Sequence, residues 1–127
     1  MASWAVGTAV IKINGSISKK QYGEGACASH VHAALHAAGI HIIPPASQDA
    51  KDYGPSLLMA GFQDKGPLKE GSWVAGDVVV FPKVSGHPHG HVAIYDGVHW
   101  VSDFVQPTIL ANRHDYKGSS YIVYRKD

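Results

Sequence analysis

The segment from residue 76 to residue 104 constrains the fold most, because it carries several strand patterns and a hairpin signal. It reads GDVVVFPKVSGHPHGHVAIYDGVHWVSDF. Gly76-Asp77 predicts a turn before the first of these strands, and a loop rich in glycine and proline follows from residue 82 to residue 90. Asp96-Gly97 predicts the turn of a hairpin. We predict strands at Val78 to Phe81, His91 to Tyr95, His99 to Phe104 and Tyr121 to Arg125, which together form an antiparallel sheet.

The first half of the chain is predicted to be helical. From Ala26 to Ala38, the residues Val31, Ala34, Leu35 and Ala38 recur at the spacing of one buried helical face. Gly39 is placed to end this helix. Ala5 to Asn14 is predicted to be a short helix or strand.

Two shorter helices are predicted between the long helix and the sheet. Ser47 is a candidate N-cap of the first, and Pro55 suits the first turn of the second, which would end at Gly61. Helices followed by an antiparallel sheet predict an α+β fold.

Composition limits the classes of protein to which the chain can belong. The 127 residues predict one domain, residues 1–127. An apolar share of 45% and a charged share of 17% are ordinary for a globular protein, so disorder is not expected. The formal net charge is +1 and the basic residues are scattered, so we expect no nucleic-acid binding and no membrane insertion. A single cysteine and the absence of a recognisable signal peptide fit production in a reducing cytoplasm.

Cys27 is the only cysteine, and it stands at the start of the predicted long helix. A thiol there faces unpaired backbone N–H groups and the positive end of the helix dipole, so its thiolate is favoured. The alternative is a small buried apolar side chain, a common role for free cysteine.

His91 and Asp103 supply a candidate base and a residue to orient it. If residues 91–95 form a strand, His91, Ala93 and Tyr95 share one face, and Val92 and Ile94 share the other. The hairpin would make His91 and Asp103 cross-strand neighbours. Cys27 would then attack a carbonyl carbon, His91 would protonate the leaving amine, and Asp103 would orient the imidazole.

Four further residues are candidates for substrate contacts. The backbone N–H groups at the helix start, around Cys27 and Ala28, would face the oxyanion, with help from Tyr22. We expect His89 to border the cleft. Trp100 is a candidate substrate contact, and core packing is its alternative role.

The nine histidines raise the question of a metal site. Three of them form the motif HPHGH at residues 87–91. The Pro88 and Gly90 spacers suit a flexible loop, and no cysteine or carboxylate stands nearby at ligand spacing. We therefore predict no metal site.

Three blocks of sequence resemble a known family. They are GxCAxxVxxAL around Cys27, GDVVVF at residues 76–81 and GHVAIYDGxxWVSDF at residues 90–104. Their order and spacing resemble the CHAP and NlpC-type branch of papain-like cysteine peptidases, over roughly residues 22–104. The resemblance implies a papain-like fold and a Cys27, His91, Asp103 triad. Ala26-Cys27-Ala28-Ser29 departs from the Asp-Cys-Ser-Gly of many NlpC-type enzymes, and many of them have histidine as the third residue.

The resemblance also implies an activity. Such enzymes cut amide bonds of peptidoglycan, and the small size and the segment AKDYGPSLLMAGF are most similar to amidase effectors of type VI secretion or to phage lysins. It implies no cofactor, a cognate immunity protein, and action in the periplasm or cell wall of a target cell after secretion or injection. A phage-type endolysin, a thiol acyltransferase or deamidase that acts on proteins, and a binding module that has lost activity stay open as alternatives.

Overall fold

Helices and strands alternate little along the chain, and the helices come first. The computed structural model describes residues 6–15, 27–83, 89–102, 106, 109 and 120–126. In this part of the chain the helices are α1 at Val6–Gly15, α2 at Cys27–Ala37 and α3 at Tyr53–Met59, with a 3₁₀ turn at Ala50–Asp52 before α3. The strands are β1 at Gln63–Asp64, β2 at Val78–Phe81, β3 at His91–Tyr95, β4 at Trp100–Val101 and β5 at Ile122–Arg125. This arrangement confirms the predicted α+β class.

The strands form one antiparallel sheet in the order β1-β5-β2-β3-β4. β2 and β3 pair so that Val80 lies opposite Val92 and Phe81 opposite His91. Helix α2 packs against β3 and against α1. The end of β3 that begins with His91 is therefore fixed both by its partner strand and by the helix layer.

The two faces of the sheet bury different residues, as strand alternation requires. The helix-side face shares one core cluster with Cys27, Val31 and Leu35 of α2. Its strand residues are Val78, Val80, Val92, Ile94, Val101 and Tyr124. The opposite face, here called the aromatic face, is built on Val79, Phe81, Ala93, Trp100 and Val123, with Trp73, Tyr95 and Tyr121 packed against them. This split confirms the predicted alternation of Ala93 and Tyr95 against Val92 and Ile94.

Helix α2 ends where the sequence predicted. Gly39 has φ +90°, its N–H donates to His36 O at 3.0 Å, and the N–H of Ile40 donates to Leu35 O at 2.9 Å. These two bonds form a Schellman motif, in which the left-handed residue is nearly always glycine. Ile40 and Leu35 are both buried in the helix-side core, so the end of the helix and the chain direction after it are set together.

Two local predictions need correction. Ser47 does not cap a helix: Asp49 is the N-cap residue of the 3₁₀ turn, while Ser47 Oγ accepts from the N–H of Asp49 and donates to Asp52 Oδ2 at 2.6 Å. In the hairpin, His99 lies in the turn, because its N–H and that of Val98 donate to Asp96 Oδ1. Strand β4 therefore begins at Trp100.

No helix in the described ranges is long and apolar enough to cross a membrane.

Candidate active site

Cys27 is the first residue of α2, and only 8% of it is exposed. Its position at the helix start follows from the sequence, since Val31, Ala34 and Leu35 turn the same helical face into the core. A thiol in this position faces backbone N–H groups that have no partner inside the helix, and these favour a thiolate. Cys27 is thus held by a packed helix at the point where the backbone is most electropositive.

His91 begins β3 and is 6% exposed. Its Nε2 lies 2.6 Å from Oε1 of Gln106, which is 1% exposed. The amide nitrogen of Gln106 donates to the carbonyl oxygen of Ile109 at 3.2 Å. This second bond fixes the orientation of the amide, so the atom that faces His91 is the acceptor oxygen.

The orientation of the Gln106 amide determines the chemistry of the imidazole. Because an amide oxygen can only accept, Nε2 of His91 carries the proton. In the neutral ring the lone pair is then on Nδ1, and this nitrogen is the one that can accept a proton from a thiol. Gln106 therefore orients His91 and selects its tautomer, the role that a third residue has in a nucleophile–base pair.

The predicted meeting of the Cys27 thiol and the His91 imidazole stays a prediction. His91 follows the alternation of Ala93 and lies on the aromatic face, where its ring centroid is 6.2 Å from that of Phe81. Cys27 belongs to the helix-side core. Any contact between the two side chains lies at the end of the sheet where β3 begins.

The segment from Asp49 to Tyr53 occupies this end of the sheet. The N–H of Lys51 donates to His89 O at 2.9 Å, and a Cβ added to Gly90 would lie 2.6 Å from Cβ of Lys51. Nδ1 of His89 bonds Oδ1 of Asp49 at 2.7 Å. The two residues that precede His91 are thus held against the 3₁₀ turn.

Tyr53 connects the same segment to the thiol. It is 3% exposed, belongs to the core cluster that contains Cys27, and its ring packs edge-on against His32 of α2, with centroids 6.5 Å apart. Burial raises the pKa of Tyr53, and the nearby negative charge of a Cys27 thiolate raises it further. The residues from 51 to 53 therefore touch both the start of β3 and the surroundings of Cys27.

The structure locates five of the seven residues that sequence reasoning selected. Cys27 and His91 are placed as above, Ala28 is partly buried against the helix-side core, and His89 has a side chain that is 73% exposed. Trp100 is 2% exposed, with ring centroids 5.3 Å from Trp73 and 5.1 Å from Tyr95, so it lies inside the aromatic face. Tyr22 and Asp103 lie outside the described residues, and their roles stay predictions.

Sequence reasoning missed Gln106 and Tyr53 as members of the site. Gln106 stands outside any strand or helix pattern, and only a tertiary contact across 15 residues brings it to His91. Tyr53 is buried as a core aromatic residue would be. Its proximity to Cys27 depends on how the 3₁₀ turn packs, for which the sequence carries no local signal.

Within the described ranges, no group of three or more histidine, cysteine, aspartate or glutamate side chains is arranged to hold a metal ion.

Two solved structures resemble this chain over almost its whole length. The crystal structure of the type VI native effector–immunity complex Tae3-Tai3 from Ralstonia pickettii contains a chain that is 40% identical, with a TM-score of 0.78, and the match covers 94% of this chain and 97% of that chain. For the selenomethionine form of the complex the identity is 39%, the TM-score 0.80 and the coverages 92% and 98%. No protein-family model and no curated protein matches the chain.

Proposed function

Since the chain belongs to the Tae3 family of type VI secretion effectors, we propose that it is an antibacterial enzyme that hydrolyses an amide bond in the stem or cross-link peptides of peptidoglycan. The observation that carries the chemistry is the buried hydrogen bond from His91 to Gln106, which gives the base a defined tautomer. A thiol at a helix start supplies the matching nucleophile. We further infer that the mechanism is of the papain-like type.

The reaction begins with proton transfer from Cys27 Sγ to Nδ1 of His91. The thiolate attacks the carbonyl carbon and forms a carbon–sulfur bond, while the π electrons of the carbonyl move to oxygen. Backbone N–H groups at the start of α2, at Cys27 and Ala28, stabilise the oxyanion. The intermediate collapses when the carbon–nitrogen bond breaks and the imidazolium gives its proton to the leaving amine.

The second half of the reaction regenerates the enzyme. His91 takes a proton from a water molecule, and the resulting hydroxide attacks the thioester carbon. The carbon–sulfur bond then breaks, the product leaves as a carboxylic acid, and the thiolate is restored. Gln106 keeps one acceptor on Nε2 throughout, so the ring can cycle between neutral and charged forms without turning.

Asp103 stays a second candidate for the orienting role, because it lies outside the described residues. A neutral amide and a carboxylate differ in what they do to the imidazolium, since only the carboxylate adds charge. Parallel kinetics of Gln106→Leu and Asp103→Asn separate the two candidates. We expect the larger loss of turnover in Gln106→Leu.

The test of the activity is mass spectrometry of muropeptides released from purified sacculi. We expect new fragments with the native protein and none with Cys27→Ala, and the fragment masses identify the bond. His91→Gln should be equally inactive, whereas His99→Gln is the matched control, because His99 is an exposed turn residue. If the folded native protein releases nothing, the cell-wall activity is refuted, and protein-directed thiol chemistry becomes the leading hypothesis.

We also propose that a cognate immunity protein binds the chain and covers the Cys27 cleft. The support is that both similar solved structures are effector–immunity complexes. The chain would be made in the bacterial cytoplasm and act in the periplasm of a target cell. Alkylation of Cys27 by iodoacetamide should slow strongly when the immunity protein is added, and an unchanged rate would place that protein elsewhere on the surface.

A further inference from the structure

Tyr53 carries a hydroxyl that the reaction scheme above does not use, on a ring that shares the core cluster of the thiol. Tyr53 is the first residue of α3, and only 3% of the residue is exposed. Its ring lies against His32 of α2 and its side chain belongs to the same core cluster as Cys27. No group of the described residues forms a hydrogen bond with its hydroxyl.

We propose that the Tyr53 hydroxyl donates a hydrogen bond to the oxyanion that forms when Cys27 attacks its substrate. The proposal rests on the proposed thiol chemistry and assigns the side-chain donor of that site. It replaces Tyr22, which the sequence alone suggested for this role.

The position of Tyr53 suits this role for a geometric reason. The residues immediately before it hold the strand that carries His91, through the bond from Lys51 N–H to His89 O. Tyr53 therefore lies on the segment that bridges the start of α2 and the start of β3. A carbonyl carbon attacked by Cys27 and served by His91 must lie in the same region.

The electrostatics keep the phenol in the form that can donate. Burial and the charge of a Cys27 thiolate both raise the pKa of Tyr53, so the hydroxyl keeps its proton while the thiol ionises. The hydroxyl gains a charged acceptor only when the oxyanion forms. Such a bond favours the transition state over the ground state.

Tyr124 provides a matched control. It is 6% exposed, belongs to the same core cluster, and its hydroxyl lies 2.5 Å from the Cβ position of Gly54, the neighbour of Tyr53. Burial and then the charge of Asp64, not of Cys27, raise its pKa. Tyr124→Phe thus removes the hydroxyl of a similarly buried tyrosine whose pKa the charge of Cys27 does not raise.

The experiment compares Tyr53→Phe and Tyr124→Phe in three assays on the full chain. For muropeptide release we expect kcat to fall on the order of 100-fold in Tyr53→Phe with little change in KM, and less than about 3-fold in Tyr124→Phe. Affinity for the aldehyde probe acetyl-alaninal, which forms a hemithioacetal with a thiolate, should weaken about 10- to 100-fold in Tyr53→Phe. Alkylation by iodoacetamide passes through no oxyanion, so its rate should stay within about 3-fold of the native rate.

Each pattern of results either supports or overturns the role of Tyr53 as the oxyanion donor. If kcat and aldehyde affinity stay at native values, or if alkylation slows by the same factor as turnover, Tyr53 is not the oxyanion donor. A larger loss of aldehyde affinity in Tyr22→Phe would give the role to Tyr22. If the native protein releases no muropeptides but aldehyde affinity still falls only in Tyr53→Phe, the substrate assignment fails and the role of Tyr53 stands. Thermal unfolding of each variant confirms that it is folded.

Discussion

Replacing Gln106 by leucine removes the hydrogen bond between its amide oxygen and Nε2 of His91. Leucine nearly matches the volume of glutamine, so the buried site stays filled while the acceptor of Nε2 and the donor to Ile109 O are both lost. The change tests whether the neutral amide at 1% exposure acts on the imidazole or only fills space.

The magnitude follows from the two bonds that disappear. A buried polar group left without a partner costs about 1 to 3 kcal/mol, and here both the imidazole N–H and a backbone carbonyl are affected. If the cost of leaving the imidazole N–H of His91 without an acceptor is felt in the transition state, turnover falls about 5- to 150-fold, since 1.36 kcal/mol corresponds to a factor of ten. The cost of leaving the carbonyl oxygen of Ile109 without its donor affects folding alone and lowers the free energy of unfolding.

Two assays separate these effects. Muropeptide release measures turnover, and ¹⁵N NMR of the histidine rings reports which nitrogen of His91 carries the proton. Gln63→Leu is the matched control, since Gln63 is exposed on strand β1. Gln106→Glu keeps an acceptor for Nε2 but cannot donate to Ile109 O, so we expect it to recover most of the turnover without recovering stability.

The reasoning is refuted if Gln106→Leu turns over at the native rate with the Nε2 proton still in place. It is also refuted if Gln106→Glu is as inactive as Gln106→Leu while both are folded. In either case another residue orients His91, and Asp103 becomes the first to test.

Three further predictions concern stability. Gly90→Ala should lower the free energy of unfolding by about 2 kcal/mol or more in chemical denaturation. The reason is that φ is +71° and the added Cβ would lie 2.6 Å from Lys51 Cβ. An unchanged free energy of unfolding would mean that the 3₁₀ turn is not held against Gly90. Arg125→Met should lower the free energy of unfolding by about 3 kcal/mol, because it removes the two hydrogen bonds of 2.8 Å from Arg125 to the fully buried Asp77 carboxylate. The double variant Arg125→Met, Asp77→Asn should recover part of this free energy, and no recovery would contradict the pairing. Asp96→Asn should destabilise the protein near neutral pH. Burial acts to raise the pKa of Asp96, but hydrogen bonds from the following turn outweigh it and hold the pKa below 3.8. The stabilisation from Asp96 is therefore present above pH 3.8 and is lost as pH falls through the folded pKa, so thermal unfolding of the two proteins should converge at low pH; a constant difference would refute the linkage.

In the described residues, the side chain bonded to Nε2 of His91 is a neutral amide. A carboxylate would stabilise the imidazolium by charge, whereas an amide supplies direction and tautomer alone. The helix start at Cys27 and the donors near the oxyanion must then supply more of the electrostatic stabilisation.

Much of the fold could be predicted from the sequence, because it rests on local patterns. The 3.6-residue spacing of Val31, Ala34 and Leu35, with Gly39 after it, predicted α2 almost to the residue. The apolar run after the Gly76-Asp77 turn predicted β2, and side-chain alternation along residues 91–95 predicted the two faces of β3. These patterns are local because each depends only on which side of one helix or strand faces the core.

The sequence by itself determined where the proposed nucleophile and base stand, Cys27 at a helix start and His91 at a strand start. Only the tertiary structure decided that Gln106 is the acceptor at His91, and that Tyr53 lies beside the thiol. The physical reason is that these two contacts join segments far apart along the chain. No periodicity or turn signal encodes them, since they depend on how the 3₁₀ turn and the residues after β4 pack against the sheet.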